Sequence, residues 1–179
     1  MSQSRESVAR LVEELCRDIP DFPKPGVIFK DITPLLADAA AFGATIRYLS
    51  EYCKRVGAEA VVGIEARGFI LAAPSAYAAG IGFITLRKPG KLPGKTLSQS
   101  YTLEYSESAL EIHEGIVRPG TRVVIMDDVL ATGGTAAAAA DLLERVGAEV
   151  VGMSFLIELG FLGGRDKLAG RQLDTVTTL

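Results

Sequence analysis

Apolar residues fall at two spacings along this chain, and where the spacing changes the expected element changes with it. Val8, Leu11, Val12 and Leu15 stand three and four residues apart, the signature of one helix face, and Ser4 or Ser7 is placed to cap that helix. The stretch IPDFPKPGVIFKDITP follows, where Pro20, Pro23, Pro25 and Pro34 rule out a regular helix. Phe42, Ile46, Leu49 and Cys53 mark a second amphipathic helix, opening after Asp38 and closing near Gly57. From residue 60 onward the pattern turns to short, nearly continuous apolar runs, as strands buried on both faces require. These are AVVGIE (60–65), IGFITLR (81–87), RVVIMDD (122–128) and AEVVGMSFLIEL (148–159). Residues 68–79 and 135–146 read as helices between them, with Pro74 best tolerated near the start of the first or at a kink. YTLEY and ALEIH can pair as short strands, residues 88–100 are expected to form a long mobile loop, and the tail has too weak a pattern to assign. The alternation of strands and helices predicts an α/β domain with a mainly parallel sheet.

Composition narrows the class. A chain of 179 residues that is 48% hydrophobic can fill one domain well, and is short for two. With 23% charged residues and no polar or Pro/Ser-rich linker, it does not have the make-up of a disordered chain. The net charge of −3 argues against a general nucleic-acid binder. No stretch approaches the ~20 apolar residues of a membrane span, and the charged, periodic start does not read as a signal segment. Cys16 and Cys53 each fall in a helical pattern and read as reduced thiols acting as small hydrophobes. A soluble cytoplasmic protein, without nucleic-acid or membrane partners, is the expectation.

In parallel α/β sheets, ligands bind beyond the C-terminal strand ends, so the segments to read are EARG, RKPGK and DDVLATGGT. Thr132, Gly133, Gly134 and Thr135 lie between a strand and a helix. Two glycines let the backbone turn its N–H groups one way, two hydroxyls add donors, and the helix dipole adds roughly half a positive charge. Such a turn suits a phosphate, although an ordinary strand-to-helix turn can look the same. Asp127 and Asp128 change the balance. Side by side they raise each other's proton affinity and repel a phosphate unless they have donors of their own. A vicinal diol supplies such donors, and a divalent cation is the alternative. A diol and a phosphate at short range describe a ribose 5-phosphate.

Rival motifs fail on position. GKT at 94–96 imitates the end of a Walker A loop, but the glycine it requires is Pro89; GIGFIT at 80–85 ends on Thr85 and precedes a strand. Arg67 at a strand end can meet a second anion or make a surface ion pair. Arg87, Lys88, Lys91 and Lys95 form a basic run without acids, either a solvated loop or a lid over a polyanion. His113, the single histidine, reads as a solvated strand residue, and no G-x-S-x-G elbow is present, which sets hydrolases aside.

VVIMDDVLATGGT resembles the phosphoribosyl pyrophosphate signature of the type I phosphoribosyltransferases, and the likeness extends over nearly the whole chain. DFPKPGVIFKDITPLL, EARGF, RKPGKLPG and YTLEY are similar to the branch of that family that acts on adenine. The resemblance implies a parallel five-stranded sheet flanked by helices, an N-terminal hood and a flexible catalytic loop, with residues 1–35 as N-terminal helix and hood and 36–179 as the α/β core of a single domain. It implies that Asp127 and Asp128 hold the ribose hydroxyls, while Ala131, Thr132, Gly133, Gly134 and Thr135 wrap the 5-phosphate. Glu65 and Ala66, whose peptide the family holds in an unusual conformation, would face the pyrophosphate with Arg67, Arg87, Lys88 and Lys91. Ile28, Phe29, Lys30 and Val129 would bound the adenine. Glu104 on the flexible loop, accompanied by Tyr105, would approach the reacting base, so Glu104 and Arg67 are the expected catalytic residues. Lys30 stands where the family has arginine and Ser106 where it has glycine. Magnesium would enter on phosphoribosyl pyrophosphate with no direct protein ligand, and the chain would form a homodimer. The implied reaction of purine salvage gives AMP and pyrophosphate. Transfer to another purine base, or a non-catalytic sensor of the donor, are the other readings.

Overall fold

The computed structural model describes residues 4–103 and 106–179. Helix α1 (Arg5–Leu15) opens on Ser4, whose hydroxyl accepts from the Ser7 N–H, and it buries Val8 and Val12. The Pro-rich stretch makes a hairpin, β1 (Arg17–Pro20) antiparallel to β2 (Ile28–Asp31), whose strands the sequence pattern had not marked. A short helix α2 (Thr33–Ala37) takes Pro34 in its first turn, where a missing N–H costs nothing. Asp38 then caps α3 (Ala39–Arg55), accepting from the N–H groups of Ala40 and Ala41.

The central sheet has the order β4-β3-β7-β8-β9, and every neighbouring pair is parallel. Its strands are β3 (Ala60–Ile64), β4 (Gly82–Leu86), β7 (Arg122–Leu130), β8 (Glu149–Glu158) and β9 (Leu173–Thr178). Between β3 and β4 runs α4 (Arg67–Ala79), with Pro74 inside it and not near its start. Between β7 and β8 runs α5 (Gly134–Arg145). The period of two is visible in the packing. Val61, Val124 and Met126 face Val8, Leu49 and Leu71 of α1, α3 and α4, while Val62, Val123 and Ile125 face Leu142 and Leu143 of α5. Ala136, Ala138, Ala139 and Ala140 are all at most 3% exposed, so the alanine run lets α5 lie close against its neighbours.

Two expectations need correction. The segment 88–100 is not one long loop: β5 (Thr96–Leu103) begins within it and pairs in antiparallel register with β6 (Ser106–His113), from Thr96↔His113 to Leu103↔Ser106. The tail is the fifth sheet strand, β9; its sequence, Leu-Asp-Thr-Val-Thr-Thr, has two apolar positions, Val176 buried in the core on the side of helix α1 and Leu173 partly buried against the core on the side of α5. Two 3-10 turns, Gly160–Leu162 and Gly164–Leu168, join β8 to β9. Among the described residues, no helix is long and apolar enough to cross a membrane.

Candidate active site

Strand β7 carries Asp127, Asp128 and Val129 to the C-terminal edge of the sheet, and the chain then turns through Ala131–Gly133 into α5. Gly133 is the N-cap, with φ +78°, in the left-handed region that glycine adopts without a Cβ penalty. No side chain caps α5, so its first N–H groups lack the side-chain acceptor that a Ser or Asp cap provides. Together with the dipole this makes the start of α5 an anion site. Asp127, Val129, Ala131, Thr132, Gly133, Gly134 and Thr135 line one cavity.

The two carboxylates are in different settings. Asp127 accepts the Asp128 N–H on its Oδ1 at 2.9 Å. Burial raises its proton affinity well above the ordinary carboxylate range, the charge of Asp128 raises it further, and Arg67 opposes both. Asp128, 3% exposed, is also raised by burial, while Arg67 pulls the other way. The Arg67 Nε lies 2.9 Å from Asp128 Oδ2, yet that oxygen has no aligned hydrogen-bond donor. The contact is one of charge, not a made hydrogen bond. Arg67 Nη1 is buried and likewise without a hydrogen-bond partner among the described residues. A buried donor left open costs free energy in the free protein, and it is what an incoming anion can satisfy.

Arg67 begins α4 directly after the Glu65–Ala66 peptide, which is cis. The helix can start this close to β7 only because the next residue is Gly68, where a Cβ would sit 2.8 Å from the Met126 carbonyl oxygen and 2.9 Å from Asp127 Oδ1. Over Arg67 lies the hood: its Cζ is 4.5 Å from the centroid of the Phe29 ring, a cation–π distance. Phe29 in turn meets Phe22 edge-on at 5.1 Å. The hairpin is thereby joined to the carboxylates through one arginine.

Other expected residues are placed differently. Arg87 forks onto Glu65, with Nε–Oε2 at 3.2 Å and Nη2–Oε1 at 3.0 Å, and its Nη1 donates to the Lys91 carbonyl. Glu65 also accepts the Lys88 N–H, and these bonds, the Arg87 side chain first, hold its carboxyl below the usual range. Glu65 and Arg87 thus satisfy each other, while Lys88 and Lys91 are exposed. Ile28 is 55% exposed, and Lys30 pairs with Asp18 at 2.6 Å. Glu104 and Tyr105 lie outside the described residues. His113 is partly buried at the end of β6, with Nε2 2.9 Å from the Pro93 carbonyl oxygen.

Of two further contributors, Tyr101 is legible in the sequence only as part of YTLEY, and Gly164 has no signal there. Tyr101 of β5 brings its hydroxyl to 3.4 Å from Thr135 Oγ1, linking the hairpin to the turn. Gly164, far along the chain, backs the turn so closely that a Cβ on it would collide with the Ala131 carbonyl oxygen.

Comparison with known proteins agrees with this geometry. Residues 33–175 match the model of the phosphoribosyl transferase domain. The chain is 61% identical over 152 residues to an adenine phosphoribosyltransferase of Streptomyces clavuligerus, covering 85% of each. It superposes on the crystal structure of the adenine phosphoribosyltransferase of Thermoanaerobacter pseudethanolicus with a TM-score of 0.92 and 48% identity, covering 96% of this chain and 99% of that one. The adenine phosphoribosyltransferase of Saccharomyces cerevisiae, solved with an imino-altritol bisphosphate and adenine, gives 0.89 and 35% identity, with 96% and 99% covered.

Proposed function

This chain belongs to the adenine phosphoribosyltransferases, and from that membership we propose how its own residues carry out the reaction. It transfers the 5-phosphoribosyl group of phosphoribosyl pyrophosphate to adenine, releasing AMP and pyrophosphate. The observation that carries the reading is the junction at Arg67: one guanidinium faces the buried Asp128, lies under the hood ring of Phe29 and keeps Nη1 open.

In this reading the turn from Ala131 to Thr135 receives the 5-phosphate on backbone N–H groups and two hydroxyls. Asp127 and Asp128 accept from the ribose 2- and 3-hydroxyls, which gives two crowded carboxylates further donors, Asp128 Oδ2 above all. Asp128 faces Arg67, and Asp127 is occupied by a backbone N–H, so the pair makes a poor cage for a bare cation. Magnesium would instead be carried by the substrate's diphosphate, where its charge would offset that of the leaving group. Arg67 supports the leaving pyrophosphate, and the exposed Lys88 and Lys91 join it. Arg87 acts from its pair with Glu65, which fixes the entry of the hairpin. Phe29 and Val129 are the apolar walls of the base site, with Ile28 and Lys30 at its rim. Glu104 assists proton removal from the base as Tyr105 accompanies it, while the closed hairpin excludes water that would hydrolyse the donor.

Residues 1–35 and 36–179 serve as hood segment and α/β core of one catalytic unit. The unpaired Cys16 and Cys53 suit the cytoplasm. Ile70, Tyr77 and Phe83, exposed on α4 and the edge strand β4, suit a homodimer contact. The test is direct: incubation with adenine, phosphoribosyl pyrophosphate and magnesium must yield AMP, and a catalytically silent, folded preparation refutes the reading.

A further inference from the structure

We propose that Glu158 and Arg165 act as a brace that fixes the shape of the phosphate turn, making both of them positioning residues for the phosphoribosyl donor. The inference rests on the reading of Ala131–Thr135 as the 5-phosphate site.

The turn has little of its own to hold it. It contains two consecutive glycines, and no side chain caps the helix that follows, so its backbone conformation is set from outside. The outside support is the backbone at Gly164. A Cβ on Gly164 would collide with the Ala131 carbonyl oxygen and come within 2.9 Å of the Gly133 nitrogen; a Cβ on Gly133 would collide with the Gly164 carbonyl oxygen. The two backbones are in contact with no side chain between them, and any displacement of Gly164 is passed to the turn.

Gly164 is held in place by its neighbour. Arg165 forks onto Glu158, Nε–Oε1 at 2.9 Å and Nη2–Oε2 at 2.5 Å, and Nη2 also donates to Thr175 Oγ1 at 3.3 Å. Glu158 is 6% exposed and closes β8, in register with Leu130, the last residue of β7 before the turn. At the far end of the same segment Arg171 forks onto Glu144 of α5, at 2.5 and 3.1 Å. Segment 164–171 is therefore tied at one end to β8, which pairs with β7 up to Leu130, and at the other to α5, while the turn itself runs from β7 into α5. A planar fork fixes direction as well as distance, which an ammonium cannot do.

The test is steady-state kinetics of Arg165→Lys and Glu158→Gln, run well below the melting temperature of each variant, with calorimetric titration of ribose 5-phosphate. Both variants should raise the KM for phosphoribosyl pyrophosphate about tenfold or more and weaken ribose 5-phosphate by a similar factor, while the KM for adenine at saturating donor stays within twofold. Gly164→Ala should do the same with the ion pair intact, and it decides the matter should an ion-pair variant fail to fold. A purely structural role lowers the melting temperature without separating the two KM values; that outcome, or an unchanged donor KM in the folded variants, overturns the brace. Thr132→Val and Thr135→Val test the underlying site. If they leave donor KM and ribose 5-phosphate affinity unchanged, the phosphate-site reading falls; if they weaken both and the brace variants do not, the brace alone falls.

Discussion

Asp127→Asn removes one charge from the floor of the cleft while keeping the acceptor that Asp127 offers to the Asp128 N–H at 2.9 Å. The side chain is partly buried, and burial followed by the neighbouring charge of Asp128 raises its proton affinity. Two unit charges roughly 6 Å apart repel by about 3 kcal/mol at an effective dielectric of ~20. Arg67, 2.9 Å from Asp128, and water in the open cleft offset part of that. Relief of about 1–2 kcal/mol is therefore expected in the free protein, at roughly 2–4 °C in Tm per kcal/mol for a domain of this size. The sign with pH follows from linkage. A carboxyl whose folded pKa is raised holds more protons folded than unfolded between its ordinary pKa and the raised one, so stability falls as pH climbs through that window. Asparagine escapes this loss, so the advantage of the variant should be absent below about pH 4 and grow as pH rises. Paired thermal melts of the two proteins from pH 4 to 8 measure it. A variant less stable than the parent at neutral pH, or an advantage that does not change with pH, refutes the argument. Catalysis should move the other way. Losing a charge-assisted bond to a ribose hydroxyl costs about 1.5–3 kcal/mol, roughly 10- to 150-fold in kcat/KM for the donor.

Phe29→Leu deletes the ring that Arg67 lies under at 4.5 Å; a loss of about 0.5–2 kcal/mol should raise the KM for adenine some 2- to 30-fold, and an unchanged value removes Phe29 from the base site. Gly68→Ala puts a methyl 2.8 Å from the Met126 carbonyl oxygen; urea unfolding should show a loss of about 1–3 kcal/mol, with weaker donor binding because Asp127 is displaced too. Glu104→Gln should lower single-turnover AMP formation by roughly 10²- to 10⁴-fold and leave equilibrium donor affinity within twofold, and normal turnover would sink the assignment of Glu104 as the base.

What was legible in the sequence was whatever a single segment decides for itself. Runs such as AVVGI are strands because both faces are buried, and β3 is buried at all five positions. DDVLATGGT was legible as a candidate site because carboxylates, glycines and hydroxyls lie within nine residues. The hood hairpin was hidden because prolines mask strand pattern, although its strands pair from Arg17↔Asp31 to Pro20↔Ile28. Strand β9 was hidden because its place depends on β8 and α1, and its two apolar residues, Leu173 and Val176, stand three apart, off the period of two that marks a strand face. The state of Arg87 was equally invisible: a basic run says nothing of a Glu65 more than twenty residues upstream that takes up one of its cations.

Arg67 shows why such long-range facts decide function. The sequence offered it as a strand-end cation, a role lysine could fill. In the structure its three features are used at once: Nε faces Asp128, the guanidinium plane lies under Phe29, and Nη1 stays buried and open. A lysine has one point charge and no plane, so it could serve only one of these. The same guanidinium also lowers the proton affinity of Asp128 and of Asp127, which keeps the carboxylates nearer the ionised form that accepts hydroxyl donors. An anion that fills the open arm at Nη1 need not break the contact at Nε. In the reading proposed above, diol, leaving group and base would be held around one side chain without competition among them, and the geometry of that side chain depends on Gly68 having no Cβ.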